Sequence, residues 1–263
     1  MTPERRSGQS SIEFLLVVPL VLALLLLTFE FALLYRAKLT LNLATFEATR
    51  AAAVGNASFE SIQEGFSRSM AALYIDASRF AGPGGTVGAV VGEVTGLEPR
   101  AQVVDAGRAA VPWGGGGTTT GNVNGSDSIC VVRINPPEEA FGSYGGPANE
   151  IPHSNLMYRD EVATTGAGAL SIQDANLLQL RVVYCHPMIV PVASTVIRSA
   201  MLGLTDSDLL GTPDAATAQA PAGLSAFRRQ CLVRGRFPLV SESIMRMQSN
   251  AIQDPELSGN CDG

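Results

Sequence analysis

The chain has 263 residues, of which 46% are hydrophobic and only 16% charged, and its net charge is −6. An acidic chain without a basic stripe lacks the electrostatic footprint of a nucleic-acid-binding protein, so DNA and RNA are excluded as partners. The apolar excess sits at the N-terminus, and the remainder has the make-up of an ordinary, rather Gly-rich soluble domain.

A short basic leader with Arg5 and Arg6 is followed by the unbroken apolar run Phe14–Leu27, which continues past Thr28, Phe29 and Glu30 to Leu34. As a helix, residues 14–34 extend about 31 Å, the thickness of the bilayer hydrocarbon. That match favours a membrane span over the buried core helix of a soluble protein, and Pro19 bends such a helix without forbidding it. Arg5 and Arg6 suit a cytoplasmic N-terminus under the positive-inside bias, although Arg36 and Lys38 on the far side blunt the contrast. The expected topology is therefore single-pass, with the N-terminus cytoplasmic and the downstream domain exported; the resemblance given below makes the membrane the bacterial inner membrane and the domain periplasmic.

A secretory signal peptide is the first competitor, but the run is too long and no small-residue cleavage site follows it. The small polar residues come before it, as Ser7-Gly8-Gln9-Ser10-Ser11-Ile12-Glu13-Phe14. A carboxylate at the edge of hydrocarbon calls for a partner. Cleavage after Gly8, which the prepilin resemblance given below implies, would free an α-amine at Gln9, one helical turn from Glu13 on the same face. The plainer alternative for Glu13 is a wet place among lipid headgroups. For Glu30, near the outer boundary, that wet and unpaired state is the expectation.

Tyr35–Val54 contains neither Pro nor Gly, so one helix is expected from about Ser11 to Val54, stopped by Gly55-Asn56. Ser58 is the expected N-cap of a second helix with a core stripe of Phe59, Ile62, Phe66, Met70, Leu73 and Tyr74, ended by residues 82–85. Thr86–Leu97 reads as a weak helix, Gln102–Asp105 as a short strand, and residues 112–128 as a Gly-rich loop. That loop has no Lys-Ser/Thr after its glycines, so it is not a phosphate cradle. Ile129–Ile134 and Asn176–Cys185 read as strands, with a short helical turn through Phe141 and mostly loop over Gly142–Gly168. Pro187–Leu204 is apolar, yet two prolines and Arg198 make it a docked helix or a membrane-surface segment rather than a second span. Asp206–Leu224 is a surface segment. Cys231–Val240 reads as a strand that Glu242–Gln248 extends, and the tail from Asp254 as loose unless Cys261 ties it down. The chain has no internal repeat. The expected class is α+β, with helices packed on a small antiparallel sheet.

Cys130, Cys185, Cys231 and Cys261 form no C-x-x-C pair, which argues against a zinc ribbon or a redox motif. An even count in an exported domain favours disulfides, with three connectivities open. The only histidines are His153 and His186. No G-x-S-x-G, H-E-x-x-H or P-loop motif accompanies them, so both read as structural. No catalytic residue, metal, cofactor or small-molecule substrate is expected.

The stretch from Ser7 to Phe14 resembles the signal of type IV prepilins, a leader ending in Gly with Glu as the fifth mature residue. The longer stretch SIEFLLVVPLVLALLLLTFEFALLYRAKLTLNLATFEATRAAAV resembles TadE-like (TadE/TadG) pseudopilins of the tight-adherence (Flp) pilus. IPHSNLMYRD (151–160), SIQDANLLQLRVVYCHPMIVP (171–191) and RFPLVSESIMRMQS (236–249) are similar to a proteobacterial branch of that family. By residue, the resemblance makes Gly8 and Gln9 the cleavage pair of a prepilin peptidase, and Glu13 and Phe14 the assembly residues. It implies a leader 1–8, a span 9–34 continuing as helix to about 54, and a periplasmic domain 55–263. It further implies a minor component, because major Flp pilins are tiny, with other pilins and the assembly platform as partners. The rivals are a minor pseudopilin of a type II secretion system and an unprocessed membrane-anchored periplasmic enzyme or sensor.

Overall fold

The computed structural model describes residues 9–74, 128–159, 170–202 and 225–257. The expected stop at 82–85, the elements at 86–97 and 102–105, the loop at 112–127 and the segment 206–224 lie outside them.

Helix α1 (Gln9–Val54) runs without interruption through Pro19 and is long and apolar enough to cross a membrane. Side chains from Phe14 to Phe29 are largely exposed along it. Beyond them, Leu34, Ala37, Leu41, Ala44, Ala48 and Ala52 recur every three or four residues and are buried. This spacing keeps them on one helical face, and the alanines let other elements approach closely. Thr45 and Thr49 are buried too, and each hydroxyl donates to the carbonyl four residues back (2.8 and 2.7 Å), so both are satisfied within the helix.

Gly55 ends α1, but not through a left-handed φ. The left-handed residues are Asn56 and Ala57, at φ 61° and 56°. Gly55 is required for space, since a Cβ there would lie 2.5 Å from that of Ser61. Helix α2 (Phe59–Tyr74) then folds back on α1 and buries Ile62, Phe66 and Met70, as its stripe predicts. Gly65 sits at the crossing, where a Cβ would meet the Glu47 carbonyl oxygen at 2.7 Å. A mid-helix glycine costs about 1 kcal/mol. Burial of three large side chains at about 1.5–3 kcal/mol each outweighs it.

The sheet is antiparallel with the order β1 (Ile129–Asn135), β3 (Leu177–Pro187), β4 (Arg236–Arg246). Alternation along the central strand divides two cores. Leu178, Leu180, Val182 and Tyr184 join the core containing α1 and α2, while Val183 and Cys185 point the other way. On that opposite face, α6 (Ala226–Val233) contributes Phe227 and Cys231. Between β1 and β3 come α3 (Glu138–Tyr144), a two-residue strand β2 (Glu150–Ile151) and α4 (Ile172–Ala175). Strand β2 pairs with β5 (Ala251–Ile252) as a second small sheet. Helix α5 (Pro191–Leu202) follows β3. The α+β class is as expected.

The strand expected at Cys231 fails, and the tail, expected to be loose unless Cys261 ties it down, is held where it is described. Cys231 lies on a helix, not on a strand: the Ser225 hydroxyl caps α6 by accepting from the Arg228 N–H (3.3 Å), and Gly235 at φ +72° separates helix from β4. The residues from Asp254 are not loose where described. The Asp254 carboxylate accepts the Phe59 N–H at the start of α2 (2.7 Å), and Leu257 is buried. The residues just before it tie the α1 end, with Gln248 N–H donating to Ala53 O (2.9 Å) and Ile252 N–H to Asn56 O (3.0 Å).

Candidate assembly interface

Of the residues singled out for processing and assembly, Gly8 lies outside the described residues. Gln9 is the first residue of α1, and Glu13, one turn on, is exposed, as is Phe14. No described element packs over this end of the helix, so its groups are presented to whatever surrounds it.

Past the apolar run, α1 has two opposed faces. One is the buried stripe from Leu34 to Ala52. The other carries Tyr35, Leu39, Leu43 and Phe46, which remain 66%, 51%, 55% and 45% exposed. Their spacing of four, four and three places them on one side, about half a turn from the stripe that meets the domain. Exposed aromatic and leucine side chains on a solvent-facing helix are costly unless another apolar surface covers them. The domain thus grips α1 from one side and leaves the other open.

The grip begins with Glu30, a residue expected to be wet. It is instead fully buried. Its Oε2 accepts the Val190 N–H at 3.0 Å and its Oε1 the Ile189 N–H at 3.3 Å. These N–H groups precede Pro191, the first residue of α5, so the carboxylate lies at the positive end of that helix. The reason is legible in the spacing. Glu30 falls four residues before Leu34 and seven before Ala37, in phase with the stripe that faces the domain, and its carboxylate supplies acceptors for the two N–H groups at the start of α5.

His186, at the end of β3, is 7% exposed and stacks at a tilt on Tyr184 with ring centroids 5.9 Å apart. Burial pushes its imidazole below the ordinary value of 6.5, and the Glu30 charge opposes part of that shift. Further along, Lys38 donates to the Val240 carbonyl and the Ser241 hydroxyl to Asn42 Oδ1 (2.9 Å), fastening β4 along α1. Burial also lowers the Lys38 ammonium, with Glu242 opposing.

Among the cysteines, Cys185 on β3 is bridged to Cys231 on α6 across 46 residues, with Cα atoms 5.4 Å apart. Cys130 is disulfide-bonded as well, and Cys261 lies outside the described residues. The bridge leaves Cys185 no thiol for nucleophilic chemistry beside His186. His153 meets Asn250, its ring Nδ1 lying 3.3 Å from Oδ1. Among the described residues no group of three or more His, Cys, Asp or Glu converges to hold a metal ion.

Comparison with known proteins bears on the helix alone. A family model described as TadE-like protein matches residues 8–50. This segment is similar to TadE-like proteins. The match takes in Gly8, Gln9, Glu13, Glu30 and most of α1. No curated protein and no solved structure matches the chain. The domain that grips the TadE-like helix is therefore described by its own geometry.

Proposed function

We propose that this chain is a minor pseudopilin acting in the assembly of an adhesive Tad/Flp-type pilus, anchored in the inner membrane with its domain in the periplasm. The observation that carries this reading is the TadE-like match over residues 8–50, which brackets both the Gly8–Gln9 pair and the helix. In this reading residues 1–8 are a leader, residues 9–34 span the membrane, and residues 55–263 form the exported domain. A prepilin peptidase cuts after Gly8. The new Gln9 amine and the Glu13 carboxylate, one turn apart, then supply opposite charges at the membrane edge, where an unpaired charge is expensive. The exposed face of Tyr35, Leu39, Leu43 and Phe46 supports packing against the helices of other pilins, while the platform that moves them engages the cytoplasmic end.

The test is the intact mass of the membrane-extracted chain, with and without a co-expressed cognate peptidase. The expected product starts at Gln9, forms only with the peptidase and disappears in Gly8→Ala. A chain that keeps its leader under both conditions removes processing from the mechanism.

A further inference from the structure

We propose that residues 187–202 lie on the lipid bilayer itself, with Ile189 inserted at the boundary of acyl chains and headgroups on the domain's side. The inference rests on the reading of residues 14–34 as a membrane span. Glu30 fixes the depth. It stands inside the apolar run, six residues before the exposed Arg36, which places it about 9 Å deeper along the helix. The N–H groups of Ile189 and Val190 bond to the Glu30 carboxylate, so the backbone of that segment reaches the same depth. In such surroundings no water is at hand to satisfy a carboxylate or a free N–H. Each satisfies the other.

The surface that this contact carries into the membrane is suited to it. Ile189 is 67% exposed beside a helix whose own Phe29 and Phe31 are 58% and 59% exposed, and Val196 on α5 is 51% exposed. Residues 187–202 contain no carboxylate and a single charge, Arg198. That arginine is turned away, its Nη2 donating to the Val233 carbonyl of α6 (3.3 Å). Ala193 is buried against the protein and Met201 packs on Leu232. The segment therefore has one side in the domain and an apolar, uncharged side continuous with the span, the arrangement of an interfacial helix rather than of a second crossing. A bilayer covers this side as the direct continuation of what covers Phe29 and Phe31.

The experiment uses the full chain reconstituted in phosphatidylcholine vesicles, with the single native tryptophan replaced (Trp113→Phe) and one reporter introduced at a time. Ile189→Trp is expected to lose emission to lipids brominated in the upper acyl chain to an extent comparable with Phe31→Trp. Met157→Trp, on the exposed surface of the domain, is expected to lose none. Quenching at Phe31→Trp without quenching at Ile189→Trp overturns the inference and leaves the span intact. Absence of quenching at both overturns the span and the inference with it. The unmodified chain gives a second measurement that no misfolded variant can confuse. A photoactivatable phospholipid with its reactive group in the acyl chain is expected to label the peptide 187–202, and labelling confined to α1 overturns the proposal.

Discussion

Replacing Glu30 by leucine removes the acceptor of two N–H groups, that of Val190 buried and that of Ile189 part-buried, while preserving the apolar character of α1. A buried N–H left without a partner costs about 1–3 kcal/mol, and the part-buried one less, so the pair costs about 2–5 kcal/mol. The wild-type carboxylate bears a desolvation penalty of its own, which the leucine does not, and that offsets part of the loss. A net cost of about 2–4 kcal/mol follows, concentrated where residues 187–197 meet α1. Hydrogen exchange followed by mass spectrometry on the full chain in lipid reads it directly. At 1.36 kcal/mol per tenfold, the amides of Ile189 and Val190 are expected to exchange about 30 to 800 times faster in Glu30→Leu. A peptide from the centre of β3, residues 177–183, is expected to hold its protection, because its bonds run to β1 and β4. Unchanged exchange at 189–190 refutes the clasp. Equal acceleration everywhere refutes its local character.

The Cys185–Cys231 bridge closes a loop of 46 residues, for which chain entropy gives about 4 kcal/mol. The double variant Cys185→Ser/Cys231→Ser is expected to melt about 8–16 °C lower, at about 2–4 °C per kcal/mol for a domain of this size, and a shift under about 2 °C contradicts the estimate. The His186 imidazole holds its proton less tightly in the folded than in the unfolded chain. Below about pH 6.5 the unfolded state therefore binds more protons, and stability is lost as the pH falls, whereas above that value this group contributes no slope. Urea titrations between pH 5 and 8 are expected to show that decline and to show it flattened in His186→Gln. An identical profile in the variant refutes the assignment to this residue.

The elements with internal periodicity could be read from the chain. The long helix, expected from about Ser11, runs from Gln9 to the expected Val54, and the stripe of Ile62, Phe66 and Met70 is the buried face of α2. The strands around Ile129 and Leu180 follow from their runs of β-branched and aliphatic residues. What escaped depends on packing, capping and helical phase rather than on local composition. Gly55 looks like a turn residue, but its necessity comes from the closeness of Ser61. Cys231 adjoins an apolar stretch and was assigned to it, although Ser225 six residues earlier and Gly235 four residues later mark a helix and its end. Glu30 was judged by its position near a membrane boundary when its phase was the informative quantity. Its place in the Leu34–Ala37–Leu41 stripe already pointed it at the domain, and only the identity of the donors required the fold.

The segment from Met247 to Leu257 closes the structure at both helix ends near the α1–α2 turn. Its contacts join residues nearly two hundred positions apart, such as Asn56 with Ser249 and Phe59 with Asp254. Contacts this distant cannot form until almost the whole chain has emerged, and folds that depend on them assemble slowly. In the proposed topology, residues 35–54 of α1 are the first part of the exported chain to be made and the last to be completed by these contacts. Residues 247–257 therefore supply the contacts that close the α1–α2 turn last.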